Sequence, residues 1–496
     1  MFLLKRKMPI FYSALVLTGV NLLLRLVSTS FQVYLSGRIG AGGIGLLQLV
    51  LSVGAMSMTL GMAGARTATM YLTAEELGTG RAKNVRWVLS GCVCYSIFCS
   101  SVVALGLYWG APFLAQAWIG TPEAVAAIRL YGSFVPVFCL CGVMTGYFTA
   151  ANRIGTLAAV EVAEQLVSMV ITMSALTLWA GTDPVRACQS VIFGSGISGC
   201  LTLCCLVLLR LRERMESGRK LSVRRRLLHT AVPLALADDL KAGINTAENL
   251  MVPKRLALYP GAADPLGAFG TVCGMVFPVL MFPAAILFAL AELLIPELAR
   301  CAAAGSKQRI AYLAKRGLKV ALLYGCLFCG LEFLLAEPLC MGLYESREAG
   351  RYLRLYALLI PMLYCDALTD AMTKGLGQQK ACVRYNIITS SMDVAFLFVL
   401  LPKYGMIGYF ISFFITHLLN FILSLRRLLK ITGRVISPRI VLGTLGALGG
   451  ALWGASLLSG PWAILCFVSI WGCLLVLLGI VGREDLQWLK TLVRQK

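Results

Sequence analysis

Apolar stretches of bilayer-spanning length follow one another from one end of this chain to the other, and no soluble fold accommodates that. A helix needs about 20 apolar residues to cross a hydrocarbon core about 30 Å thick. Such stretches fall near residues 10–36, 44–71, 87–110, 128–150, 155–180, 186–209, 228–252, 266–296, 317–337, 352–375, 383–401, 405–425, 439–459 and 461–481. Only 14% of the residues are charged, against about 25% in soluble domains. Lipid offers the backbone no hydrogen-bonding partner, so each span must satisfy its own amides as a helix. The expected fold class is an all-α polytopic membrane protein with 14 transmembrane helices. The eighth span is long and carries Pro278, Pro283 and Pro296, so a kink or break is expected there.

The basic residues test that layout. A net charge of +22 in a soluble chain would suggest nucleic acid. Here the excess of Lys and Arg on the inner side of membrane proteins explains it, and no nucleic-acid partner is expected. Counted with the span ends that adjoin them, the terminal tails and even-numbered connections hold 33 of the 45 Lys and Arg and the odd-numbered connections nine, while Arg25, Arg66 and Lys241 fall deeper within spans. That bias puts both termini in the cytoplasm of a multi-pass plasma-membrane protein. The opening Lys5-Arg6-Lys7 imitates a signal peptide, but the run behind it is long and lacks a cleavage site, so it reads as an uncleaved first span.

Two parts of the chain look alike. Gly42-Gly43-Ile44-Gly45 follows the first span, and Leu266-Gly267-Ala268-Phe269-Gly270 follows the seventh, about 225 positions later. TGYFTAANRIG joins the fourth span to the fifth, and DAMTKGLGQQK joins the tenth to the eleventh at nearly the same spacing. The expected organisation is two six-helix pseudo-repeat halves, 1–226 and 227–430, around a central cavity, with two further helices and a cytoplasmic tail over 431–496. Repeats of this kind are a transporter design, with substrate held between the halves. Residues 40–45 read as a tight glycine turn, and the tail Arg483–Lys496 as an amphipathic segment.

Ionisable groups inside spans cost about 2.5–3.5 kcal/mol each on insertion scales, so they face water or a partner. In the seventh span Asp238, Lys241, Asn245, Glu248 and Asn249 share an arc of about 100° on a helix, and Asp239 points away. The first span repeats the pattern with Thr18, Asn21, Arg25, Ser28 and Gln32. The fifth offers Glu161, Glu164, Gln165, Ser168 and Thr172, and the eleventh Asn386, Thr389, Ser390 and Asp393. Either these groups satisfy one another between helices or they line one aqueous cavity; four such faces favour the cavity. Arg66 reads as an interfacial anchor that snorkels.

Chemistry of bond-making kinds finds little support, so an enzyme is not expected. The eighteen cysteines lie mostly within apolar runs and the two histidines, His229 and His417, have no ligand-spaced neighbours; the cysteines read as small packing residues, and no metal or other cofactor is expected beyond H+ or Na+ as a coupling ion. No nucleophile elbow, P-loop or dinucleotide fingerprint sits in a strand–helix setting.

Several stretches together resemble the multidrug/oligosaccharidyl-lipid/polysaccharide exporter superfamily, in particular its stage V sporulation protein B and polysaccharide-flippase branch. They are RIGAGGIGLLQ at Arg38–Gln48, AGARTATMYLTAEELG at Ala63–Gly78, VAEQ at Val162–Gln165, ENLMVPKRL at Glu248–Leu256, FPAAILFALAELLIPELA at Phe282–Ala299 and GLGQQKACVRYN at Gly375–Asn386. The chain departs from the family where Ala65-Arg66 replaces a usual proline. It departs from MurJ-type lipid II flippases where Phe31-Gln32 stands in place of a second basic residue. The resemblance implies a flippase that moves an undecaprenyl-diphosphate-linked sugar outward by alternating access, for cell-wall, spore-cortex or polysaccharide export. Arg25 and Lys241 would neutralise the diphosphate. Asp238, Glu248, Glu161, Glu164, Asn21, Gln32, Asn245 and Gln165 would meet sugar hydroxyls or a coupling cation. Partners would be the lipid-linked sugar, membrane lipid and proteins of cell-wall synthesis. Three other readings stay open: a cation-coupled drug antiporter of the same superfamily, a membrane-embedded polymerase or acyltransferase, and a non-transporting scaffold of cell-wall assembly.

Overall fold

The computed structural model describes residues 10–79, 82–181, 183–212, 223–433, 437–458 and 460–482. Lys5-Arg6-Lys7, most of the connection after the sixth span and the tail Arg483–Lys496 lie outside them. The described chain is a succession of helices: α1 Ile10–Met62, α2 Ala65–Gly78, α3 Val85–Phe113, α4 Val125–Ala150, α5 Ile154–Ala175, α6 Pro184–Leu211, α7 Arg224–Leu256 and α8 Pro265–Gly270. They continue as α9 Phe277–Leu280, α10 Ala284–Ala303, α11 Lys307–Tyr344, α12 Arg347–Ala357, α13 Ile360–Gly375, α14 Gln379–Thr432, α15 Pro438–Ser456 and α16 Pro461–Leu477. The chain is an all-α, multi-pass membrane protein, as its hydropathy requires.

Two of these helices are double-length runs folded at one glycine each. Gly40 (φ 68°, ψ −179°) breaks α1, and Gly405 (φ 60°, ψ −141°) breaks α14. Only glycine enters such conformations without a Cβ clash, so a single residue turns the chain between successive spans. The rest of the 40–45 stretch is helix and does packing rather than turning. The second span is not continuous either: Ala63 (φ 42°) and Gly64 (φ 72°) separate α1 from α2.

The internal spacing seen in sequence recurs in the backbone. Left-handed residues stand at Gly120 and Glu345, at Asn152 and Gly377, and at Gly181 and Gly405, each pair separated by 224 or 225 positions. They mark three successive interhelical turns in each part of the chain. Exposed tryptophans (Trp109, Trp179, Trp453 and Trp462) sit at helix ends, where an amphipathic ring meets the lipid–water boundary.

By packing, the chain divides into two compact units. The first holds residues 1–274 with 394–409, so α7 belongs with α1 to α6, and it packs against α1, α2 and α3. Its backbones approach closely where the first glycine motif meets the second. A Cβ on Gly45 would fall 2.3 Å from the Leu266 carbonyl oxygen, and one on Gly270 would fall 2.1 Å from that of Ala41. Without side chains the α1 and α8 axes come into contact, which is how helices associate when lipid removes the hydrophobic drive. The opening turns of α7 are fastened to α2 and α3 through a core of Ala65, Ala68, Leu72, Val88, Val223, Leu227 and Ala231.

The second unit holds residues 275–393 and 410–496. As the prolines led one to expect, the eighth span is broken, between α9 and α10. The carbonyls freed there find donors: Tyr364 Oη donates to Leu280 (3.1 Å) and Tyr324 Oη to Pro283 (2.8 Å). Non-helical backbone survives at membrane depth only when re-satisfied in this way. Helices α12 and α13 form another bent pair, at 58°.

Candidate functional site

The first unit contains a polar cavity of about 800 Å3. One wall is the part of α1 after Gly40, through Gln48, Ser52, Met56, Thr59 and Met62. A second is the start of α2, through Arg66 and Thr67, and a third is α7, through Asp238, Lys241, Ala242, Asn245, Thr246 and Asn249. On α7 these six residues occupy an arc of about 140° centred near Asp238, with Glu248 just beyond its edge. On α1, Gln48, Ser52 and Thr59 lie within about 40° of one another.

Two hydrogen bonds hold the α1 and α7 walls together. Asn249 Nδ2 donates to Ser52 Oγ (3.0 Å), and Thr246 Oγ1 donates to the Ser52 carbonyl (3.2 Å). Ser52 Oγ in turn donates to the Gln48 carbonyl (2.8 Å). The lining therefore presents neutral hydrogen-bonding groups between three ionisable ones: Arg66, Lys241 and Asp238. Two cations against one anion leave the lining with an excess of positive charge beside its neutral polar groups.

Of the polar face of α7 singled out by sequence, Asp238, Lys241, Asn245 and Asn249 line this cavity. Arg25 and Glu248 are half-buried and are not among its lining residues, and the side chain of Asn21 lies outside the described ones. Gln32 is occupied elsewhere, its Nε2 donating to the Gly274 carbonyl at 3.1 Å. The α5 face is engaged with α6. Glu164 accepts from the Thr202 hydroxyl, Ser168 Oγ lies 3.5 Å from Ser195 Oγ, and Gly194 leaves room for Thr172. Gln165 is half-buried on that helix. Glu161, exposed on the same helix, feels the charge of Arg66. The α14 face closes within the second unit, where Asp393 accepts from Ser412 and Thr416.

The sequence reading missed Arg66, Thr67, Gln48, Ser52 and Thr59. The sequence reads Arg66 as a snorkelling anchor; the left-handed pair Ala63–Gly64 instead restarts the helix with Arg66 on the cavity wall. The helical-period stripe of Gln48, Ser52 and Thr59 was a usable signal, hidden because none of the three carries charge. No group of three or more His, Cys, Asp or Glu arranged to hold a metal ion occurs among the described residues. A second cavity, of about 650 Å3 in the second unit, is lined by apolar side chains such as Leu322, Met362, Phe414, Phe421 and Leu445 and offers nothing to an ionic group.

This layout recurs in proteins of known sequence and structure. A family model described as MatE matches residues 256–399. Stage V sporulation protein B of Bacillus subtilis (strain 168) is 20% identical over 409 residues, 79% of this chain and 78% of that protein. Among solved structures, lipid II flippase MurJ in an inward closed conformation superposes with a TM-score of 0.71 at 12% identity, covering 95% of this chain and 99% of that one. An inward-facing multidrug resistance MATE family transporter gives 0.65 at 13% identity, with 85% and 98% covered. A Pyrococcus furiosus transporter described as having a binding pocket of reverse polarity gives 0.59 at 13%, with 85% and 96% covered. Family model, sequence relative and solved structures point the same way: the chain has the fold that MurJ and MATE transporters share, and its sequence is similar to stage V sporulation protein B.

Proposed function

We propose that the chain is a membrane transporter of the multidrug/oligosaccharidyl-lipid/polysaccharide exporter superfamily that flips a lipid-linked sugar whose headgroup carries a diphosphate, of the undecaprenyl-diphosphate class, from the inner to the outer leaflet. The observation that carries the reading is the excess of cationic over acidic side chains lining the cavity of the first unit: Arg66 and Lys241 against Asp238. Arginine presents a planar fork matched to phosphate oxygens, and lysine acts as a point charge. Asn245, Asn249, Gln48, Thr59 and Thr67 then meet hydroxyls with neutral donors and acceptors.

The setting assigned to it is a bacterial plasma membrane with both termini cytoplasmic, on the bias of basic residues toward one side. Alternating exposure of the cavity would come from rocking of the two sequence repeats. No ATP is needed. Each negative charge leaving a negative interior gains ~2.3 kcal/mol per 100 mV, so a doubly charged diphosphate gains about twice that. H+ or Na+ coupling is compatible with this scheme and is not required by it. The stage V sporulation relative and the MurJ fold support a role in cell-wall or spore-cortex precursor export.

The test compares wild type with Lys241→Ala and Arg66→Ala in proteoliposomes, scoring both translocation of a lipid-linked sugar and efflux of a cationic dye. The proposal requires sugar translocation to fall about 10- to 100-fold, as loss of one charged hydrogen bond implies, with no matching loss of dye efflux. A protein that moves dye through Asp238 and never moves the lipid-linked sugar would be a cation antiporter instead.

A further inference from the structure

We propose that Glu332 is a proton-binding site in the second unit, which holds its proton in this conformation and exchanges it when the packing around α11 opens to water. Glu332 lies in an apolar run of α11 and is 6% exposed. Neither of its carboxyl oxygens has a hydrogen-bond partner. Among the described residues, the other buried carboxylates of this unit each have one: Asp366 accepts from Asn420 (3.1 and 3.2 Å), and Asp393 from Ser412 and Thr416.

No charge compensates Glu332. Among the described residues no basic side chain pairs with it. On its own helix the ionisable groups that feel its field are Tyr324, Cys329 and Cys340, and the Tyr324 hydroxyl is committed to the Pro283 carbonyl. Helices α10, α12, α13, α15 and α16 pack against α11. Arg354 of α12 is engaged by Glu337 (3.6 Å) and lies over the Phe333 ring; Arg347, Glu348 and Arg351 of the same helix are exposed. On α13, Asp366 is held by Asn420 and Asp370 by Lys374 (2.6 Å). On α10, Glu292 is exposed and Glu297 pairs with Arg309 and Arg300. Helix α15 carries Arg439 alone, at its first turn, and α16 carries no charged residue.

A carboxylate stripped of water, partners and counter-charge is far costlier than the neutral acid. The acid form therefore belongs to this packing, and the ionised form to one in which water reaches α11. On opening, the carboxyl O–H bond breaks with its electron pair left on oxygen, and the proton passes to water. The inference does not depend on which substrate occupies the first unit.

Infrared difference spectra of full-length protein in lipid vesicles, wild type against Glu332→Gln at neutral pH, test it. The expected result is loss of one protonated-acid carbonyl band per chain. That band should also shift after transfer to D2O, because its proton exchanges. Loss of carboxylate bands instead, or a carbonyl band immune to D2O, overturns the proposal. Should Glu332→Gln not fold, Glu332→Asp keeps the acid and must move the band; an unmoved band overturns it equally.

Discussion

Arg226 holds the first turn of α7, the helix that supplies a wall of the cavity, to the end of α2, and breaking that hold should be measurable. Its Nη1 donates to Glu76 Oε1 at 2.8 Å and its Nη2 lies 2.9 Å from Glu75 Oε2. Glu76 is fully buried and also accepts from Asn84 Nδ2 at 3.0 Å. Removing one partner of a buried pair costs about 3–5 kcal/mol because the other charge is stranded. Arg226 is one-third exposed and Asn84 remains, so Arg226→Gln should cost about 2–3 kcal/mol. Glu76→Gln keeps a hydrogen bond and loses the charge, about 1–1.5 kcal/mol. With neither charge stranded, the double variant should be less damaged than the sum, by about 1–2 kcal/mol. The assay is apparent Tm and denaturant midpoint of the detergent-purified protein across all four forms. Additivity of the two losses within about 0.5 kcal/mol would refute the reasoning, since it would mean that Arg226 does not compensate Glu76.

Three further outcomes are expected. Asp238→Asn removes the acidic side chain that lines the cavity; it should preserve or raise affinity for a diphosphate headgroup, read by binding of a fluorescent lipid-linked sugar, and weaken any retention of organic cations. Gly270→Ala places a methyl 2.1 Å from the Ala41 carbonyl, where backbone rather than a side chain must yield; the cost should be at least about 1–3 kcal/mol, seen as loss of folded protein in size-exclusion chromatography. Asn152→Gly (φ 57°) and Gly377→Ala (φ 75°) occupy equivalent turns, and left-handed backbone costs an L-residue about 1–2 kcal/mol. The first should therefore be neutral or mildly stabilising and the second destabilising, by Tm.

Hydropathy alone made the fold class legible, because a bilayer leaves an apolar stretch of 20-odd residues no alternative to a helix. The spacing of glycine-marked turns, repeated every 225 positions or so, is equally sequence-borne, since a left-handed turn restricts which residues can occupy it. The polar face of α7 was readable for the same reason: a rigid helix fixes which side chains point together. Which faces meet water was not. Glu164 and Asp393 look like cavity residues by period, yet Thr202 on α6 holds the first, and Ser412 and Thr416, beyond the Gly405 break of α14, hold the second. Conversely Arg66 reached the cavity only because two left-handed residues, Ala63 and Gly64, reset the helix before it. Periodicity encodes the direction of a side chain within its own helix; whether that direction ends at water, at a partner or, as for Glu332, at neither depends on the helix packed opposite, which the tertiary structure alone decides.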